Sequence, residues 1–90
     1  MNLPRFKNYG EYSSENYGAH SLKFSIGGFT VWFSYKTPVA FYSISTGFVI
    51  RENEWGATTG KHLNLIDPDH KKRIPGVKFE EMLSKLIEQP

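Results

Sequence analysis

Apolar and polar positions alternate between residues 19 and 26: Leu22, Phe24 and Ile26 fall on one side, and Ser21, Lys23 and Ser25 on the other. That is the period of a half-buried strand. Gly27-Gly28 supplies the positive φ angles that a tight hairpin turn needs. Beyond it Phe29, Val31, Phe33 and Tyr35 resume the alternation, with Thr30, Trp32 and Ser34 opposite. Lys36-Thr37-Pro38 reads as a turn or a strand start where proline's missing N–H is tolerated. Val39 to Ile44 then forms a third strand, Ser45-Thr46-Gly47 a turn, and Phe48 to Arg51 a fourth strand. Connections this short predict an antiparallel meander and leave no room for a parallel sheet with helical crossovers.

The period changes near the C-terminus. Phe79, Met82, Leu83, Leu86 and Ile87 stand at i, i+3, i+4, i+7 and i+8, one apolar stripe of a helix over residues 76–88. Glu80 and Glu81 sit early in it, where the helix dipole favours acids. The stripe is expected to pack on the sheet face of Leu22, Phe24, Ile26, Phe29, Val31 and Phe33. Between sheet and helix, residues 53–74 begin as a loop, and Lys61 to Ile66 fits either a strand or a helix of about two turns. The helix, with Thr58 or Thr59 as N-cap, is the better fit. Residues 1–18 are loop-rich, and the Asn-Tyr-Gly triplet at 8–10 and 16–18 is too short to mark a structural repeat. The reading is one α+β domain over residues 1–90.

At 90 residues with 39% hydrophobic and 16% aromatic positions, the chain has enough apolar surface for one core and does not resemble a disordered segment. Cysteine is absent, so disulfides and thiolate chemistry are excluded. No run approaches the roughly 18 apolar residues of a membrane span, and the expected place is the cytoplasm. The formal net charge of +2 is mild, but Lys61, Lys71, Lys72, Arg73 and Lys78 concentrate in one stretch against Asp67 and Asp69.

Residues with chemical potential are few. Gly56 to His62 offers glycines, hydroxyls and a lysine ahead of a helix, the ingredients of a backbone anion cradle; a plain helix start uses the same residues. It lacks the spacing of a Walker motif. His62, Asp67, Asp69 and His70 match no metal-ligand spacing, and an Asp-Pro-Asp turn accounts for the acids, so no metal and no cofactor is expected. His20 reads as a structural histidine, and the serines lack a nucleophile elbow. Catalysis therefore finds no support. Aromatic residues outnumber what one helix can cover; they suit base stacking or a protein partner's pocket, and equally a fold in which the N-terminal loop covers the second sheet face and buries Trp32.

Three blocks carry a resemblance: Tyr12 to His20, Ser34 to Phe41 (SYKTPVAF) and Asn53 to Asn64 (NEWGATTGKHLN). They resemble a family of small uncharacterised proteins carried by phages and plasmids, over about residues 6–80. The resemblance implies a mobile-element protein in a bacterial host's cytoplasm, acting on nucleic acid or on a host protein that handles it. It nominates Tyr17, His20, Tyr35, Lys36, Trp55, Thr59, Lys61 and His62, while Gly56 stands where the family is expected to carry Ser.

Two functions follow as expectations. The first is a non-enzymatic nucleic-acid-binding protein using Trp32, Tyr35, Lys36, Trp55, Thr59, Lys61, His62, Lys71, Lys72 and Arg73. The alternative is a protein-binding inhibitor or adaptor against a host nuclease or defence enzyme, using Tyr12, Glu15, Tyr17, Glu52, Glu54 and Trp55. The sequence does not fix the oligomeric state, since a strand edge can pair with itself.

Overall fold

The computed structural model describes residues 3–10 and 21–88. Its strands are β1 (Arg5–Asn8), β2 (Leu22–Ile26), β3 (Phe29–Ser34), β4 (Thr37–Ser43), β5 (Gly47–Arg51) and β6 (Arg73–Ile74). Helices α1 (Ala57–Ile66) and α2 (Gly76–Glu88) follow β5 and β6, and a short 3-10 turn, His70–Lys72, precedes β6. The six strands form one sheet in chain order. The fold is α+β, as the alternation and the C-terminal stripe predict.

Each hairpin has a local cause. Gly27 sits at φ 58° in the β2–β3 turn, and Gly47 at φ 73° where β5 begins. The β3–β4 turn is less expected, because Tyr35 adopts φ 57°, a left-handed conformation that costs a non-glycine residue roughly 1–2 kcal/mol. Between Trp32↔Ala40 and Phe33↔Pro38 the register shifts, leaving Val39 as an extra, fully buried residue.

The two faces of the sheet bury different clusters. On one, Phe79 and Leu83 of α2 pack with Val31 and Phe41, supported by Phe29, Phe33, Val49, Ile74, Met82 and Leu86. On the other, Leu63 of α1 packs with Val39, Ala40 and Ile50, joined by Trp32 and Ile66.

Four expectations are corrected. The loop-rich N-terminal segment contains β1, paired antiparallel to β2; four exposed residues show no alternation of burial to read. The sheet is mixed, because β6 runs parallel to β5 and α1 lies in the crossover between them. A two-residue strand is too short to show a period. Helix α1 has Gly56 as its N-cap and no side-chain cap, since the Thr59 hydroxyl turns inward to Ser34 instead. Helix α2 lies over β3 to β6 and not over Leu22, Phe24 and Ile26, because β6 pins its start at the far edge of the sheet. Phe24 meets Phe6 of β1 instead, at 5.1 Å between rings, and Ile87 extends past the core, 67% exposed. The residues 11–20, including the second Asn-Tyr triplet and His20, lie outside the described residues.

Both sheet edges are blunt: β1 exposes Arg5 and Lys7, and β6 is two residues long. No helix among the described residues is long and apolar enough to cross a membrane.

Candidate nucleic-acid interface

Residues directly opposite one another in a ladder share a face. The β1–β2 register sets Arg5 opposite Ser25 and Lys7 opposite Lys23. The β2–β3 register sets Lys23 opposite Trp32 and Ser25 opposite Thr30. Thr30 then faces Tyr42, and Tyr42 faces Phe48. One side of the sheet therefore carries Arg5, Lys7 and Lys23 on its first two strands and Trp32, Tyr42 and Phe48 on the next three.

Helix α1 covers only the Ala40–Ile50 end of this face. Beyond that cluster Tyr42 is 42% and Phe48 37% exposed. Trp32, on β3, reaches Phe48, on β5, with ring centroids 5.5 Å apart and planes at 83°. Strands two apart are separated by roughly 9.5 Å, so the indole must lean across β4; its partner there is Ala40, whose methyl leaves the room. The Lys23 ammonium stands 5.4 Å from the Trp32 ring centre, close enough for a cation–π contact. Beside it a groove of about 410 Å³ is lined by Arg5, Phe6, Lys7, Lys23 and Ser25.

The electrostatics of this face follow from one sequence feature. None of the six strands contains Asp or Glu, and the chain has no acid from Asn16 to Arg51. Arg5, Lys7 and Lys23 form no ion pair among the described residues. The arrangement offers flat π surfaces with cations to one side.

The chain belongs to a family of unknown function, DUF8033, matched over residues 1–81. No curated protein and no solved structure matches it. The family match spans all six strands, α1 and the first turns of α2, so every residue of this face lies inside it.

The residues nominated from sequence fall into three places. Trp32 belongs to the open face. Tyr35, Trp55 and Thr59 line a cavity of about 150 Å³ with Ser34, Thr37 and Val39, and Lys36 is exposed in the adjoining turn. Beneath it Ser34 Oγ lies 2.7 Å from His62 Nδ1 and 3.1 Å from Thr59 Oγ1. Thr59 and His62 are buried, at 7% and 1% exposure, so they pin α1 to β3 and do not present themselves to a polymer. The rings of Tyr9 and Tyr35 flank His62 at 6.0 and 5.9 Å, and the Tyr9 hydroxyl donates to the Phe33 carbonyl at 2.7 Å.

The third place is the outer side of α1 and the 3-10 turn. Lys61 and Lys71 are exposed there. Lys72 is paired with Asp67 at 3.2 Å, and Arg73 is half-buried, donating to Asn64 Oδ1 at 2.9 Å. The Asp67 carboxyl is held below its ordinary range, chiefly by the Asp69 backbone N–H, which outweighs the opposing effect of desolvation, with further lowering by Lys72 and Arg73. Asp69 accepts from the Lys71 backbone N–H, so these acids serve the turn.

Of the acidic and aromatic alternative set, Tyr12, Glu15 and Tyr17 lie outside the described residues. Glu54 and Trp55 are engaged with one buried cation, Arg51, which is 3% exposed. Its guanidinium lies 4.6 Å from the Trp55 ring centre and 5.3 Å from that of Phe79. It reaches Glu80 at 3.2 Å and Glu54 at 3.5 Å. Glu52 lines a separate cleft beside α1.

Sequence reasoning missed Arg5, Lys7, Lys23 and Phe48 as candidates. The signal was present: the Gly27-Gly28 hairpin fixes Lys23 opposite Trp32, and the acid-free stretch marks these strands as cationic.

Proposed function

We propose that this protein is a non-enzymatic, single-strand nucleic-acid-binding protein of a phage or plasmid, acting in the cytoplasm of a bacterial host. The observation that carries the reading is the open sheet face, where Trp32, Tyr42 and Phe48 stand next to Arg5, Lys7 and Lys23 with no carboxylate among them. Bases stack on the aromatic rings, and phosphates lie over the first two strands. Every base has a π face, so the binding is tolerant of sequence. A duplex hides those faces, which makes single strands the preferred form. The mobile-element origin rests on the resemblance of the SYKTPVAF and NEWGATTGKHLN blocks.

The rim of the aromatic patch favours the first of the two expectations. A protein acting as a phosphate mimic would ring its aromatics with acids; here Glu54 is committed to Arg51, and the neighbours of Trp32 are Lys23 and Thr30.

The test is titration of labelled single- and double-stranded oligonucleotides, read by anisotropy and by tryptophan quenching. A Trp55→Phe background isolates the Trp32 signal. Salt-sensitive binding of single strands with quenching of Trp32, weakened by Tyr42→Ser, is the expected result. No binding at low salt refutes the reading and leaves capture of a host protein as the function to pursue.

A further inference from the structure

A second polar site lies on the other side of α1. A cleft of about 310 Å³ is lined by Glu52, Asn53, Gly60, Asn64, His70 and Arg73. Its chemistry is set by Arg73, which can only donate. Arg73 Nη2 is 2.9 Å from Asn64 Oδ1, and Nη1 is 3.4 Å from His70 Nδ1. The Asn64 amide is thereby oriented with its Nδ2 left as a donor. His70 accepts at Nδ1, so its neutral ring carries the proton on Nε2, another donor. Arg73 Nε is buried without any hydrogen-bond partner. Arg73 also forms no ion pair among the described residues: the Asp67 carboxylate pairs with Lys72 and acts on Arg73 only from longer range, the Asp67 carbonyl accepts from Arg73 Nη2 at 3.5 Å, and Glu52 stays outside pairing distance.

We propose that this cleft binds a phosphate monoester. A half-buried guanidinium without a carboxylate partner, flanked by two side chains that it has turned into donors, lacks an oxyanion. The space exceeds that of inorganic phosphate, which leaves room for an attached group of nucleoside size. Gly60 keeps the helix wall low, since a Cβ there would stand 3.2 Å from Asn53 Nδ2. Glu52 is the one lining group that opposes an anion, and it limits affinity. Two sources share this chemistry: a free nucleoside monophosphate and the terminal phosphate of a nucleic-acid strand.

The experiment is a 1H–15N titration of the intact protein with adenosine 5′-monophosphate, inorganic phosphate and short oligonucleotides bearing a 5′-phosphate or a 5′-hydroxyl. Shifts at the Asn64 side-chain amide and the Arg73 Nε–H, with adenosine as an inactive control, are expected. Glu52→Gln is expected to tighten phosphate binding severalfold, and Arg73→Lys to weaken it. The Glu52 variant removes only an exposed side chain's charge, so it reads the site even if Arg73→Lys fails to fold. A preference for the 5′-phosphorylated strand over the 5′-hydroxyl one identifies a strand end as the source, and equal response of the two strands together with binding of the free nucleotide identifies the small molecule. Absence of shifts at Asn64 and Arg73 with millimolar monophosphate, or unchanged phosphate affinity in Glu52→Gln, overturns the proposal. Either failure leaves the sheet face untouched, because its residues give separate signals.

Discussion

Under the proposed function, the cations on the open face set the salt dependence of nucleic-acid binding. For single strands the slope of log Kobs against log salt is about −0.7 per neutralised phosphate. Arg5, Lys7 and Lys23 can each take one phosphate, which gives a slope of about −2 and a loss of about twentyfold between 50 and 200 mM salt. Lys23→Gln removes one contact, so the slope falls to about −1.4 and the same salt step costs only about sevenfold. The exposed Lys61 of α1 and Lys71 of the 3-10 turn serve as the control: a Lys61→Gln/Lys71→Gln double variant keeps the slope of the parent. Anisotropy titrations of a labelled oligothymidine at five salt concentrations measure all three slopes. A slope that is unchanged in Lys23→Gln and reduced in the double variant would place the phosphates on α1 and refute the assignment of the sheet face. Unfolding midpoints of the variants separate a lost contact from a lost fold.

Further outcomes follow from the packing. Arg51→Ala forfeits two buried methylenes at about 0.8 kcal/mol each and two aromatic–cation contacts of roughly 1 kcal/mol each, and recovers part of the cost of desolvating the charge, so a net loss of about 3 kcal/mol is expected in urea unfolding. Arg51→Met keeps the stem, adds sulfur–aromatic contacts and leaves Glu54 and Glu80 free to hydrate, so it stays within about 1 kcal/mol of the parent; equal losses in the two variants would show that the charge, and not the packing, stabilises the site. Gly76→Ala is expected to cost about 1–3 kcal/mol, because the new Cβ would overlap Arg51 Nη2 and Glu54 Oε1 and the sandwiched guanidinium cannot swing away; the cost shrinks in an Arg51→Met background. Asp67→Asn lowers the thermal midpoint at neutral pH. Since the folded-state carboxyl titrates below its ordinary range, its contribution is present at neutral pH and lost as pH falls through that lowered value, and parent and variant midpoints converge in acid.

What the sequence disclosed depended on how local each feature is. The stripe of Phe79, Met82, Leu83 and Leu86 was legible because a helix repeats its period over several turns. The β2–β3 hairpin was legible because two adjacent glycines between alternating runs admit the positive φ angles of a tight turn. Strand β6 has two residues, so it has no period, and its parallel pairing is imposed by α1 crossing the sheet. The same limit hid the placement of α2: nothing near Phe79 says which strands it covers until Ile74 is known to be paired with Arg51. Burial of His62 was illegible for a different reason. A histidine beside Lys61 in a polar run reads as surface, and only the fold brings Ser34 to within 2.7 Å to satisfy its Nδ1.

Charge shows the same contrast between a sum and an arrangement. A formal net charge of +2 gives no warning of a cationic face, because Arg and Lys are nearly balanced by nine acids. The structure separates them. Glu54 and Glu80 flank Arg51, Asp67 and Asp69 hold the turn before β6, and Glu81 and Glu88 lie on α2. The helices and connections thus carry the acids among the described residues, and the strands carry none. Field strength at a surface depends on which charges share it within a Debye length of about 8 Å at physiological salt, and not on the total. A ligand approaching the Trp32–Phe48 face therefore meets Arg5, Lys7 and Lys23, while Glu54 and Glu80 are engaged with Arg51, and Asp67 and Asp69 with the turn before β6.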